Sequence, residues 1–433
     1  MKNQYLPLYK LLCLFFLLMF VETSSLQATE NFRNFRFRQL STSDGLSTND
    51  IQQVYQDKEG YIWMATRNGL AKYNGYEMKI YKSNIYNWNL LGNNNISCIE
   101  EDTKHRIWIG TYDGLNVLDK VTGKIKQINK TEFSNNAISK ILVTRKGQIL
   151  LGTDQGLYQY IPERDSCVLF TRETTKDVMP QTSVKSLLED SKGNIWIGTW
   201  NEGLYRYDPE EGKYFAYPKM NERKSAHVVF EDSHHQIWVG TWEGGLFLLK
   251  NPYDMERVSW DVFRNEPAVE SSLADNTIYA LSEDRNTNSL WVGTRSGLSI
   301  LPYGTTSFVN YYPDESGHSI SGNEVTSMIC DQQGMMWLST LGGGVTAIIT
   351  RELNFALDHL ENIKKVFKTN SVRNILVDDE GLMWLSIGTY GLVVYNRQTG
   401  EWWNMRQLGF PDTGSTTYSV FSIMQSPTTG KYG

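Results

Sequence analysis

Cysteine is scarce in this chain of 433 residues, with four in all, at positions 13, 98, 167 and 330. Outside the N-terminal stretch they stand far apart, so they form neither a disulfide framework nor a paired metal-ligand motif. Cys98 and Cys330 lie in apolar, strand-like surroundings and read as buried thiols. Histidine is equally thin at six residues. Only His234 and His235 adjoin, in a turn where neighbouring rings cannot easily grip one ion. Lys/Arg runs are missing and the formal net charge is -6, which excludes a phosphate-coating surface and a nucleic-acid partner. No glycine loop of a nucleotide site and no HExxH metal helix occurs. Neither a cofactor nor a metal is therefore expected, and no catalytic residue is assigned. The acid runs Glu100-Glu101-Asp102 and Asp378-Asp379-Glu380 fall in turns and read as solvated charge.

One apolar run is present, and it is short. Lys2 and Lys10 precede residues 11–21, followed by small and polar residues up to Ala28. Eleven residues are too few to span a bilayer but suit a secretory signal. Residues 1–28 are expected to be a signal peptide cleaved after Ala28, with an uncleaved N-terminal anchor as the alternative, and the body is expected to be exported.

What the chain has in plenty is aromatic and β-branched sequence that repeats. It contains 13 Trp, 24 Tyr and 35 Gly against 11 Pro, a β-rich globular composition. A signature of Trp, a small residue and Thr, then a turn and Gly-Leu, recurs at Trp63, Trp108, Leu150, Trp196, Trp238, Trp291, Trp337 and Trp384. The steps are 45, 42, 46, 42, 53, 46 and 47 residues. Upstream of most copies stand two apolar residues, an Asp and a Gly, as in Ile51, Val54, Asp57 and Gly60. Asp-x-x-Gly is a hairpin turn, with Asp bonding the backbone ahead and Gly accepting positive φ. It lacks the alternating oxygen ligands of a calcium loop. The Leu150 copy departs from the pattern, with Leu for Trp and Thr144 for Asp, which weakens packing in one unit.

Four strands in about 45 residues is the size of a propeller blade. The chain therefore reads as all-β, a seven-bladed β-propeller at residues 31–350 followed at 351–433 by the beginning of a second propeller. Residues 35–40 resemble an outermost strand without its blade; pairing with residues 344–350 would close the first ring. Residues 355–360 would belong to the last blade of the second ring. The unit opening at Val420 and Ile423 stops at Gly433, so a longer gene product is expected.

Residues 37–47, the Ile62-to-Leu70 core and Tyr73-Asn74-Gly75 resemble two-component regulator propeller repeats, and the likeness runs along the whole mature chain. That resemblance implies the periplasmic sensor region of a hybrid two-component system. It also implies partners: an oligosaccharide ligand, a second propeller with a downstream sensor domain, a membrane-anchored kinase portion and a second copy of the protein. No segment here matches the kinase, receiver or DNA-binding parts.

Recognition is expected where the copies differ, in the turn between Thr and Gly, because all such turns emerge on one face of a propeller. An aromatic beside carboxamides and acids suits a sugar, whose apolar face stacks while its hydroxyls bond. The candidates are Tyr112, Asp113, Trp200, Asn201, Glu202, Trp242, Glu243, Arg295 and Tyr390. The same aromatics would equally serve a protein interface, so an interaction scaffold is the competing reading. A propeller lyase or glycosidase is a further one, and it would need convergent acids or a metal cage at the ring centre.

Overall fold

The computed structural model describes residues 35–84, 90–128, 137–170, 181–217, 225–314 and 319–350, most of 372–409, and residue 423. The signal segment, residues 355–360 and nearly all of the unit expected from Val420 lie outside them. The chain divides into two compact units, Met1–Arg351 and Glu352–Gly433. Apart from a single turn of 3-10 helix at Thr42–Asp44, every described element is a strand. The strands make eight antiparallel sheets of four.

Blade one consists of Ile51–Gln56, Ile62–Thr66, Gly69–Tyr73 and Met78–Tyr81, hydrogen-bonded in that order. The innermost strands of blades two to seven are Ile96–Glu101, Ile138–Val143, Val184–Glu189, Val228–Glu231, Ile278–Asp284 and Val325–Cys330. Each neighbours the next, and the strand of blade seven returns to that of blade one, so the first unit is a closed ring. Blade seven takes its outer strand from the start of the chain: Arg36–Leu40 pairs with Gly344–Ile349, from Arg36 opposite Ile349 to Leu40 opposite Val345. This is the pairing that ring closure required, and it leaves no open sheet edge at the joint.

Each residue of the signature has a mechanical reason. Trp63 is wholly buried and packs on Leu91, Ile96, Ile99 and Ile107 of blade two, so the Trp of one blade fills the gap to the next. Its Nε1 donates to Asp57 Oδ2 at 2.8 Å, while Asp57 Oδ1 accepts the turn amides of Glu59 and Tyr61. The same Trp–Asp bond recurs at 102/108, 190/196, 232/238 and 331/337, each 2.8 Å, and at 378/384 in the second unit. In blade six Trp291 donates to Ser289 Oγ instead. A Cβ on Gly240 would lie 2.5 Å from Ile278 Cγ2 of blade six, which is why the residue two after the Trp is small.

Three members of the acid runs are buried instead of solvated, while Glu380 is exposed as expected. Glu101 and Asp102 are each only 4% exposed and Asp378 6%. They hold hairpin turns and, in the case of Glu101, meet Lys120 Nζ at 2.9 Å. Of the free cysteines, Cys98 and Cys167 are buried and Cys330 is half-buried. The second unit contributes blade eight, Val372–Val377, Leu382–Ile387, Gly391–Asn396 and Trp402–Asn404.

Candidate functional site

The variable turn is held by the Thr before it. Thr66 Oγ1 donates to the Gly69 carbonyl at 2.7 Å and accepts the Asn68 amide at 3.0 Å. Thr111, Thr153, Thr199 and Thr294 repeat both bonds. With its backbone fixed in this way, the turn can vary in side chain without cost to the blade. The turns also bond the segment leading into their own blade, as Tyr112 N does to Asn95 O and Trp200 N to Ser183 O. Turns and connections therefore share one face.

On that face the innermost strands carry a second device. In blades one, two, three, four, six and seven the pairing register slips by one residue, between Ile51 and Gln53 in blade one and at equivalent places in the others. The residue skipped is Gln52, Ser97, Ser139, Lys185, Tyr279 or Thr326. A β-bulge of this kind re-aims one side chain, and here all six line a central cavity of about 180 Å³. His227 fills the corresponding place in blade five, immediately before Val228–Glu231.

The ring centre is therefore two-sided. Blades one, two, three and seven offer carboxamides and hydroxyls: Gln52, Gln53, Ser97, Ser139 and Thr326. Blades four to six offer aromatics, and there the turns meet the bulges. The Trp200 and Trp242 rings are 5.2 Å apart, edge to face. His227 lies 6.3 Å from Trp200, 6.1 Å from Trp242 and 5.8 Å from Tyr279, which is itself 6.0 Å from Trp242. Lys185 Nζ stands 5.8 Å over Trp200 and 3.0 Å from Asp154.

The electrostatics of the centre favour binding over nucleophilic chemistry. Burial holds the His227 imidazole down at about 4, and the Lys185 charge adds to the effect. The ring is neutral at pH 7, and its buried Nδ1 has no hydrogen-bond partner among the described residues. Burial pushes the Cys98 thiol up to about 12, so no thiolate is on offer. Deeper in the ring, burial raises the Glu100 carboxyl to about 7 against the opposing pull of Lys140. No group of three or more His, Cys, Asp or Glu is placed to hold a metal among the described residues.

Of the residues singled out in the sequence, Trp200 and Trp242 come together, with Asn201, Glu202 and Glu243 exposed on the same two turns. Arg295 sits one blade further on and pairs with Asp275 at 3.3 Å. Tyr112 is 51% exposed on blade two, and Asp113 follows it in the turn; no ring contact joins Tyr112 to the cluster among the described residues. Tyr390 lies outside the described residues. His227, Tyr279 and Lys185 were not anticipated. A signal for them existed: Ile51 and Val54 are both buried at a step of three, where an unbroken strand puts successive core residues two apart.

Five segments match the family described as two component regulator propeller: residues 45–68, 90–113, 179–201, 272–296 and 319–342. A histidine kinase of Formosa agariphila is 28% identical over 370 residues, covering 72% of this chain and 26% of that protein. The extracellular domain of a putative hybrid two-component system from B. thetaiotaomicron superposes with a TM-score of 0.61 at 18% identity, over 86% of this chain and 54% of the other. Virginiamycin B lyase from Staphylococcus aureus shares the fold at a TM-score of 0.57 and 9% identity, over 73% of this chain and 99% of its own. The chain thus spans about half of the solved sensor domain, and a quarter of the kinase, that it resembles.

Proposed function

We propose that this chain, which is built of two-component regulator propeller repeats, is the periplasmic ligand-sensing region of a hybrid two-component signalling protein, and that its ligand is an oligosaccharide. The observation that carries the reading is the two-sided ring centre. Trp200, Trp242 and Tyr279 present ring faces and edges on one side. On the other stand the Gln52 carboxamide and the hydroxyls of Ser97, Ser139 and Thr326, which donate to backbone carbonyls and keep an oxygen lone pair to accept from a ligand. A pyranose is amphipathic in the same sense, with an apolar face and a rim of hydroxyls. The neutral His227 ring adds to the aromatic side, between Trp242 and Tyr279.

Asn201, Glu202, Glu243 and Arg295 would border the bound chain from the rim, with Tyr112 and Asp113 reached by a longer oligosaccharide. The cavity, at about 180 Å³, is smaller than the 300–1,000 Å³ of sites that enclose drug-sized molecules. It suits one ring or chain end, the rest lying across the turns. The role is binding: a ligand that prefers one arrangement of the signalling protein shifts its equilibrium by the difference in affinity. The test is calorimetry of the protein against a panel of neutral oligosaccharides. At least one should bind with a dissociation constant below about 1 mM, and Trp200→Ala should weaken it roughly tenfold, the effect of losing one stacking face. Absence of binding across the panel, or unchanged affinity after Trp200→Ala with Trp242→Ala, would count against the proposal.

A further inference from the structure

Blade three has lost both members of the Trp–Asp pair, and the structure shows what the loss makes. At the junction of blades two and three, Trp108 meets Tyr160 of the next blade with ring centres 4.8 Å apart. At the junction of blades three and four the equivalent tyrosine, Tyr207, faces Leu150 and turns to Phe170 at 5.3 Å and Tyr214 at 4.9 Å. A cleft of about 820 Å³ opens there, on the face opposite the sensing turns. It runs past Thr144 and Leu150, along Tyr207 and Phe170, and over the Lys192–Asn194 hairpin to Arg206 and Tyr253.

Arg206 gives the cleft its chemistry. It is only 5% exposed, lying 4.3 Å over the Phe215 ring and 5.2 Å from Tyr253. Its Nε donates to Tyr217 Oη at 3.1 Å and its Nη1 to Asn194 Oδ1 at 3.2 Å, two of the five N–H groups of a guanidinium. No carboxylate lies within ion-pair distance of it among the described residues. Asp190, in the adjoining hairpin, is engaged by Trp196 Nε1, Tyr253 Oη and Asn194. A buried charge without a counter-ion is unfavourable unless something anionic meets it. Lys192 Nζ, 3.6 Å over the Tyr253 ring, brings a second cation to the same wall. Three acids also line the cleft: Glu189 accepts the Arg145 amide at 2.7 Å, Asp208 the Glu210 amide at 2.9 Å, and the Glu210 side chain is exposed at the rim.

We propose that this cleft is a second ligand site, for a small molecule bearing a carboxylate on a six-membered ring: the carboxylate meets Arg206 and Lys192, and the ring lies against Phe170 and the edge of Tyr253. The shared chemistry admits an acidic sugar or an aromatic acid. Titration of the full chain by NMR with galacturonate and with benzoate, each against its uncharged counterpart, galactose or benzamide, separates the two. One acid should bind at least tenfold more tightly than its counterpart. Lys192→Ala, at the surface, should weaken it severalfold. Thr144→Asp with Leu150→Trp, which restores the pair of the other blades and narrows the cleft, should weaken it about tenfold or more. Trp200→Ala, on the other face, should leave it unchanged, so failure here is distinct from failure of the sensing site. Equal binding of acids and counterparts, no binding of either acid, or affinity unmoved by both the Lys192 variant and the double variant would overturn the assignment.

Discussion

At the scale of single residues, the Asp that ends every innermost strand but that of blade three does more than turn the chain. Asp190 is fully buried and accepts from Trp196 Nε1, Tyr253 Oη and the amides of Lys192 and Asn194. Asp190→Ala strands these four donors and Asn194 Nδ2 at once and should lower stability by about 3–5 kcal/mol, read as a fall in urea midpoint at unchanged slope. Glu100 acts in the opposite sense. Its folded-state pKa of about 7 lies above the ordinary 4.5. Between those values the folded chain keeps a proton that the unfolded chain has released, so stability falls as pH rises through the window. Glu100→Gln removes that penalty. The variant should match the wild type near pH 4 and exceed it at pH 8 by on the order of 1–3 kcal/mol, as paired urea titrations would show. A variant no more stable at pH 8 would mean that Glu100 is not held up by burial.

At the scale of elements, two strand features decide the architecture: the bulge in the innermost strand and the borrowed outer strand of blade seven. Deleting residues 35–40 leaves Gly344–Ile349 as an exposed edge and uncovers the face where Phe35 stacks 5.6 Å from Trp291 and Phe37 meets Tyr311. The shortened protein should melt at least 10 °C lower, in keeping with a loss of several kcal/mol, and should elute as oligomers in size-exclusion chromatography. The strand content, the blade signature and the borrowed strand were legible in the sequence, because Trp, Gly and Asp each do the same mechanical work in blade after blade. The ring centre was less so. Trp200 and Trp242 announce themselves by breaking the pattern at a turn. His227, Tyr279 and Lys185 do not, since a bulge leaves no residue type behind, only the three-residue step from Ile51 to Val54. The cleft was hidden for a related reason. Leu150 and Thr144 read as weakened packing, and only neighbours distant in sequence, Tyr207 and Arg206, show what occupies that weakness.

At the scale of the molecule, a closed ring is followed in the same chain by a second compact unit. In the ring the residue three before the turn Asp, or Thr144 in blade three, is covered in every innermost strand, as with Val54 at 0% and Ile99 at 1% exposure. In blade eight the equivalent Ile375 is 59% exposed. The ring itself has a beginning and an end in time as well as in space. Synthesis runs from the N terminus, so Arg36–Leu40 is the first described strand to be made, yet its partner Gly344–Ile349 is the last of the unit. Joining such distant segments carries a large loop-closure entropy and belongs to the slow end of folding. Six blades can assemble on neighbouring sequence while that first strand waits unpaired, and the circle is completed by the oldest piece of the chain.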